Sequence, residues 1–156
     1  MRPIALAAIF AAATFPVRAD LPEYKNVDEI LESGRESCAF FDNGEFTLEE
    51  GAVTEIDLDG DGAPDKVVEE AKFRCSTAAS LYCGTGGCMT HLVVGDQVHS
   101  RLAKGWKAVE WAGDTIILLA LHGSECGGTN LRRCYEAITW SEGGFKSVRT
   151  PPDGGR

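Results

Sequence analysis

Apolar and polar residues alternate along much of the chain after Ala52, and this two-residue period is typical of β-strands. The segments predicted to be strands are 52–58, 66–74, 90–94, 97–102, 105–111, 115–121, 133–140 and 144–149. Gly95-Asp96, Gly113-Asp114 and Glu142-Gly143-Gly144 separate consecutive segments and are short enough to form hairpin turns. Consecutive hairpins predict an antiparallel β-meander.

The segment before the strands has the pattern of a short helix. Asn26 is followed three residues later by Glu29, which is the arrangement of a helix N-cap and its partner. The apolar residues Val27 and Ile30 then share one face. We predict a helix from Val27 to about Arg35, packed on one face of the sheet or covering an edge. The expected fold class is α+β and mainly β: an antiparallel β-meander sheet with a short N-terminal helix, held together by disulfides.

The N-terminus has the features of a signal peptide. Arg2 supplies a positive charge, and residues 4–15 are almost entirely apolar or small. Pro16 interrupts this run, and Ala19 is a suitable residue immediately before a cleavage site, so we expect the mature chain to begin at Asp20. The apolar run is too short to span a bilayer, and no later segment reaches the necessary length.

The predicted chain therefore has three parts. Residues 1–19 form a signal peptide, residues 20–150 form a single β-rich domain linked by disulfides, and residues 151–156 form a flexible polar tail. This organisation predicts a periplasmic or secreted protein.

The cysteines agree with export. All six follow residue 19, and an even number of cysteines in an exported chain predicts disulfides. The sequence lacks the paired spacing of zinc sites and the C-x-x-C motif of thioredoxin-like sites. We expect bonds between cysteines that are close in sequence, with the last pair assigned by elimination. The predicted pairs are Cys38–Cys75, Cys83–Cys88 and Cys126–Cys134.

An acidic loop follows the first predicted strand, with the sequence Asp57-Leu58-Asp59-Gly60-Asp61-Gly62-Ala63-Pro64-Asp65. Calcium prefers oxygen ligands, and loops of this kind supply them from positions 1, 3, 5, a carbonyl at 7, and 9. The predicted ligands are Asp57, Asp59, Asp61, the Ala63 carbonyl and Asp65. We therefore predict calcium as the cofactor. The alternative is an acidic turn that only keeps a hairpin soluble.

The loop resembles the DxDGDGxxD calcium loops of FG-GAP repeats and, in part, EF-hand loops. An EF-hand has a glutamate at position 12 and a helix on each side. Position 12 here is Val68, and the flanking segments have the strand period. The resemblance covers the loop alone, so it implies a cation site between two strands. Without the glutamate we expect a Kd on the order of 0.1–1 mM, with water, Glu69 or Glu70 completing the ligand shell.

The net charge of the chain limits the classes of partner that it is expected to bind. The chain has a net charge of −9 at pH 7, and most of its acidic residues lie within 20–70. A net acidic protein is poorly suited to bind nucleic acids or anionic membranes. We expect the partner to be an exported protein or a component of the cell envelope.

Two glycine-rich loops beside cysteines are candidate binding loops, because disulfides reduce the conformational freedom lost on binding. Their candidate residues are Gly84, Thr85, Gly86 and Gly87 in the first loop, and Ser124, Glu125, Gly127 and Gly128 in the second. The alternative is that both are simple turns held by disulfides.

Trp106 and Trp111 are separated by an odd number of positions, so we expect them on opposite faces of one strand.

No catalytic residues are predicted. If Gly95-Asp96 is a two-residue turn, His91 and His99 point to opposite faces of a hairpin and cannot share a metal. His122 and Ser124 lie outside the G-x-S-x-G context of a nucleophile elbow. The sequence favours a small exported, non-catalytic binding protein, such as an inhibitor or an envelope accessory protein. The alternatives are a secreted hydrolase that uses the His122–Thr129 loop and a structural module of envelope assembly.

Overall fold

A computed structural model describes residues 22–149 as three layers: one α-helix, a five-stranded sheet and a four-stranded sheet. All strand pairs in these residues are antiparallel. The α+β, mainly β class predicted from the sequence is confirmed. The predicted signal peptide and C-terminal tail lie outside the described residues.

Helix α1 spans Val27–Phe40 and begins as predicted. The Asn26 side chain accepts a hydrogen bond from the Glu29 N–H at 3.0 Å, which is the expected N-cap contact. The helix extends beyond its predicted end near Arg35 to Phe40. Gly34 lies within the helix and is buried against the Phe73 ring, where a Cβ atom would lie only 3.1 Å from the ring.

Eleven strands follow the helix in the described part of the chain. They are β1 (Phe46–Leu48), β2 (Val53–Ile56), β3 (Asp65–Glu69), β4 (Phe73–Cys75), β5 (Cys83–Gly84), β6 (Gly87–Val94), β7 (Gln97–Ala103), β8 (Gly105–Trp111), β9 (Asp114–Leu121), β10 (Cys134–Ser141) and β11 (Gly144–Arg149). Short 3-10 helices span Glu70–Lys72 and Gly123–Cys126. The predicted strand 66–74 is therefore interrupted by a 3-10 turn, and β1 and β5 were not predicted.

The strands form two main sheets rather than one continuous meander. In the first sheet, β6 pairs with β3 and β5 along one edge and with β7 along the other. The second sheet has the order β8-β9-β10-β11 and is a simple meander. The chain crosses between the sheets at Lys104, whose N–H donates to the Ala120 carbonyl at 2.7 Å. Strands β1 and β4 form a separate pair.

The two faces of the first sheet pack against different layers. Neighbouring residues in a strand point to opposite faces, so Val67 and Leu92 lie in the core between the sheets, whereas Val68 and Val93 lie in the core beneath α1. The buried residues Ile117 and Leu119 of β9 supply the other wall of the inter-sheet core. A single flat meander would have left these apolar faces in water, and burying them against each other explains the division into two sheets.

The three predicted disulfides are present. Cys38–Cys75 joins α1 to β4, Cys83–Cys88 joins β5 to β6, and Cys126–Cys134 joins the second 3-10 helix to β10. The bonds therefore link the helix to the strand segment beneath it and close two loops.

The strand registers place the connections at two ends of the molecule. The turn end carries the acidic loop and the turns at 95–96, 112–113 and 142–143. The loop end carries the two glycine-rich loops beside cysteines, at 84–87 and 124–128, which we call the cysteine-flanked loops. The 112–113 turn replaces the predicted Gly113-Asp114 turn, because Trp111 pairs with Asp114 across it.

Candidate functional site

The acidic loop is folded around its own carboxylates. Both oxygens of Asp57 accept backbone N–H bonds, from Gly60 at 2.7 Å and from Gly62 at 3.0 Å. Asp59 and Asp61 each accept an N–H bond from the residue two positions ahead, at 3.1 and 2.7 Å. Gly60 and Gly62 adopt φ values of +79° and +85°, which other residues rarely adopt. The donor to Asp61 is the exposed Ala63, the predicted carbonyl ligand.

Three of the predicted ligands converge. One carboxylate oxygen from each of Asp57, Asp59 and Asp61 lies within 4.8 Å of the others. Asp65 lies across the β2–β3 junction and accepts the Leu58 N–H at 2.9 Å. Burial raises the pKa of Asp65, and the negative charges of Asp59 and Asp61 add to the increase, although hydrogen bonds from the backbone oppose it. The cluster is thus a region of concentrated negative charge at the turn end.

The two glutamates suggested as further ligands are used elsewhere. Glu69 accepts the Trp106 indole N–H at 3.0 Å, and Glu70 contacts His91 at 3.2 Å. Glu69 is the last residue of β3, and Glu70 begins the 3-10 helix that follows it. A rise of about 3.3 Å per residue puts Glu69 roughly 13 Å from Asp65 along the strand. Of the two alternatives for completing a ligand shell, water or one of these glutamates, the contacts favour water.

The first cysteine-flanked loop is packed closely against β7. Gly87 has a φ of +116°, and a Cβ atom there would lie 2.0 Å from the Ala103 carbonyl oxygen. Thr85 and Gly86 form the turn between β5 and β6, and Gly84 is exposed. The glycine at position 87 is thus required by backbone contact within the protein.

The second cysteine-flanked loop also folds back on itself. The N–H of Gly128 donates to the Gly123 carbonyl at 2.9 Å, and Gly127 ends the 3-10 helix in a left-handed conformation. The Ser124 hydroxyl lies 2.8 Å from His122 Nδ1. The Glu125 carboxylate instead forms ion pairs with Arg101 of β7 and Arg149 of β11. The structure therefore joins His122 to Ser124 but directs the adjacent acid into a different cluster.

A longer serine–histidine–glutamate chain, missed in the sequence, lies on the helix side of the first sheet. His91 Nδ1 is 2.8 Å from the Ser100 hydroxyl, and His91 Nε2 is 3.2 Å from Glu70 Oε1. The ladder pairs His91 with Ser100 and Leu92 with His99, which confirms that the two histidines face opposite ways. His91 is 1% exposed. These hydrogen bonds connect the end of β3 to β6 and β7, and they satisfy buried polar groups.

The second sheet has an exposed apolar surface on the side away from the core. We call it the outer face; its residues are Lys107, Val109, Trp111, Ile116, Leu118, Tyr135, Ala137, Lys146 and Val148. Trp111 is 71% exposed and Val148 is 68% exposed. A cavity of about 260 Å³ lies on this surface between Ile116, Ala137 and Val148. Trp106, by contrast, packs against the inter-sheet core, so the two tryptophans face opposite ways as predicted.

Comparison with known proteins finds no matching family model, no similar curated protein and no similar solved structure. Within residues 22–149, no helix combines the length and the apolar character needed to cross a membrane.

Proposed function

We propose that this chain is an exported, non-catalytic binding protein that recognises a protein partner through the outer face and is stabilised by calcium at the acidic loop. The exposed outer face is the observation that carries the proposal. Large exposed apolar surfaces are uncommon on monomeric proteins and often mark interaction sites. Trp111 and Tyr135 also belong to residue types that are enriched at protein interfaces.

The charges on the outer face indicate the chemistry of the partner. Lys107 projects from β8 and Lys146 from β11, so a lysine flanks the apolar strip on each side; Lys146 also forms an exposed ion pair with Glu142 at 3.7 Å. Asp114, opposite Trp111, lies at the turn end of the surface. A partner whose apolar patch is bordered by carboxylates would complement this arrangement. A second copy packed face to face would bring like charges together, which favours a different protein as the occupant.

Export is supported by the apolar N-terminal sequence and by the three disulfides. Disulfides persist mainly in oxidising compartments. Mass spectrometry of the protein from its native host should find Asp20 as the first residue. Retention of Met1 would contradict the export proposal.

Calcium binding is supported by the converging oxygens of Asp57, Asp59 and Asp61. Each carboxylate can accept more than the N–H bonds it already receives, so these bonds leave lone pairs for a cation. The Ala63 carbonyl, Asp65 and water would supply the remaining oxygens. The proposed role of the ion is structural, because it would neutralise repulsion among adjacent carboxylates.

Binding through the outer face can be tested with matched surface variants. The mature protein is immobilised and exposed to envelope extract, and the retained protein is then purified and its affinity measured. Leu118→Asp places a charge in the middle of the outer face. Phe40→Asp is the control, since Phe40 is 86% exposed at the end of α1, in a different layer. The Lys107→Glu and Lys146→Glu double variant tests charge complementarity.

The proposal predicts that Leu118→Asp lowers affinity at least tenfold while Phe40→Asp binds normally. The lysine double variant should bind more weakly, and the wild-type complex should weaken with added salt. Equal binding by wild type and Leu118→Asp would contradict the proposal. Wild-type dimers that Leu118→Asp dissociates would also contradict it, because the occupant would then be a second copy.

A further inference from the structure

A cavity of about 270 Å³ lies between α1 and the first sheet, in a different layer from the outer face. Its principal polar lining residues are Tyr24, Ser33, Ser37, Glu70 and Tyr82. Pro22, the first described residue, forms part of the rim. The cavity therefore brings together a carboxylate, two phenols and two hydroxyls from separate parts of the chain.

Glu70 makes the cavity negative. Its side chain is 16% exposed, and its ion-pair partner within residues 22–149 is His91. A neutral His91 satisfies both of its contacts when Nε2 donates to Glu70 and Nδ1 accepts from the Ser100 hydroxyl. This contact therefore positions the Glu70 carboxylate and does not itself require a positive charge on His91.

The phenols present acceptors rather than donors to the cavity. The Tyr24 hydroxyl donates to Ser33 Oγ at 3.0 Å, and the Tyr82 hydroxyl donates to the Gly34 carbonyl at 2.7 Å. A hydroxyl has one hydrogen and two lone pairs, so both oxygens keep their accepting capacity. Burial raises the pKa of Tyr82, and the charge of Glu70 adds to the increase, which keeps this phenol protonated and donating to the backbone.

We propose that this cavity binds a primary ammonium group. Such a group has three N–H donors, which match the Glu70 carboxylate and the oxygens of Tyr24 and Tyr82. Aromatic rings attract cations, and the acidic excess of residues 20–70 lowers the energy of positive charge nearby. An anion would meet the carboxylate and accepting oxygens, so the same lining disfavours anionic ligands.

Two sources of this group are chemically equivalent. One is a free alkylamine from the surroundings. The other is the chain's own N-terminal α-ammonium, which cleavage after Ala19 would create at Asp20, two residues before Pro22 at the cavity rim. The cavity does not depend on the outer face, so either binding site can fail without the other, but the α-ammonium source rests on the proposed export because cleavage creates it.

The test is an NMR titration of the protein with n-butylammonium, with n-butanol as the uncharged probe of the same shape. A probe this small should bind with a Kd of roughly 1–10 mM. Amide shifts should centre on Tyr24, Glu70 and Tyr82, and n-butanol should bind at least tenfold more weakly. Equal binding of the two probes, or shifts located elsewhere, would overturn the proposal.

Variants separate loss of the charge from loss of the fold. Glu70→Gln should weaken n-butylammonium binding at least tenfold, whereas Glu69→Gln should bind as wild type because Glu69 contacts Trp106 on the other side of the sheet. If Glu70→Gln fails to fold, Ser37→Leu is decisive, since residue 37 is exposed on α1 and a larger side chain there fills the cavity. Undiminished binding by Ser37→Leu would overturn the proposal.

The two sources are distinguished by titrating both the full chain and the form that begins at Asp20. Equal binding by both forms supports the site and identifies an external amine as the ligand. Binding by the full chain and not by the Asp20 form supports the site and identifies the α-ammonium as its occupant. Failure of both forms to bind overturns the proposal.

Discussion

Arg101 Nε donates to Glu136 Oε2 at 2.7 Å and joins the edge of the first sheet to the second sheet. Glu136 is 2% exposed, and its other oxygen lies 3.5 Å from Arg149 Nε. Glu125 contacts both arginines, so two acids and two bases form one cluster between β7, β10 and β11. Strand alternation points the Glu136 side chain into the interior. A buried carboxylate without a partner is energetically unfavourable, and the arginines supply the opposite charge.

Removal of Arg101 should therefore destabilise the fold strongly. We expect Arg101→Met to lower the free energy of unfolding by about 2–4 kcal/mol, somewhat below the usual range for a broken buried ion pair because Arg149 remains. Lys146→Met is the control, since its pair with Glu142 is highly exposed and should contribute less than about 1 kcal/mol. Urea denaturation of both variants measures the difference; equal losses would show that the Arg101 contact is energetically unimportant.

Stability should decrease at acidic pH through His99. Burial lowers the pKa of His99. The positive charge of Arg101 lowers this pKa further, whereas the negative charge of Glu136 raises it. The folded protein therefore takes up the proton less readily than the unfolded chain, whose histidine has a pKa of about 6.5. As pH falls through that value, proton uptake by the unfolded chain lowers the free energy of unfolding, until pH drops below the folded-state pKa.

The variant His99→Leu should reduce this dependence. His99 Nε2 is buried without a hydrogen-bond partner in the described part of the chain, and the ring contacts Phe145. Leucine keeps an apolar contact and removes the titrating group. Denaturation curves recorded at about pH 7.5 and pH 5 should differ less for the variant than for wild type. An unchanged difference would assign the acid sensitivity to other groups.

Calcium should raise the melting temperature. At a calcium concentration of ten times Kd, linkage stabilises the folded state by roughly 1.4 kcal/mol, which corresponds to about 3–6 °C in a domain of this size. Asp59→Asn should remove most of this gain without lowering the calcium-free midpoint, because it removes one repelling charge and keeps an oxygen for the Asp61 N–H. Glu36→Gln, on α1, is the charge-matched control. Identical wild-type melting curves in chelator and in millimolar calcium would show that the loop is only an acidic turn.

The disulfides should contribute unequally. Cys38–Cys75 closes a separation of 37 residues and Cys126–Cys134 one of 8. Loop-closure entropy gives about 4 kcal/mol for the first bond and about 2.6 kcal/mol for the second. Double alanine variants of each pair, compared by urea denaturation, should follow that order. The reverse order would show that strain or residual structure in the unfolded chain outweighs loop length.

Several features of the fold were predictable because they depend on residues that are close in sequence. The Asn26 cap requires only its own helix turn, and the Gly95-Asp96 turn fixes the pairing of His91 with Ser100. The local disulfides follow from short spacing in the same way. The acidic loop was located from its spacing alone, although calcium binding remains a proposal.

The three-dimensional structure decided the features that depend on distant residues. Alternation could not show that β8 leaves the first sheet, because a strand has the same period in either sheet. The periods, turns and candidate ligands could be predicted from the sequence, since these depend on local backbone geometry. Only tertiary packing brought Glu70 to His91 and Arg101 to Glu136, because buried polar groups pair with whatever partner the packed layers place beside them.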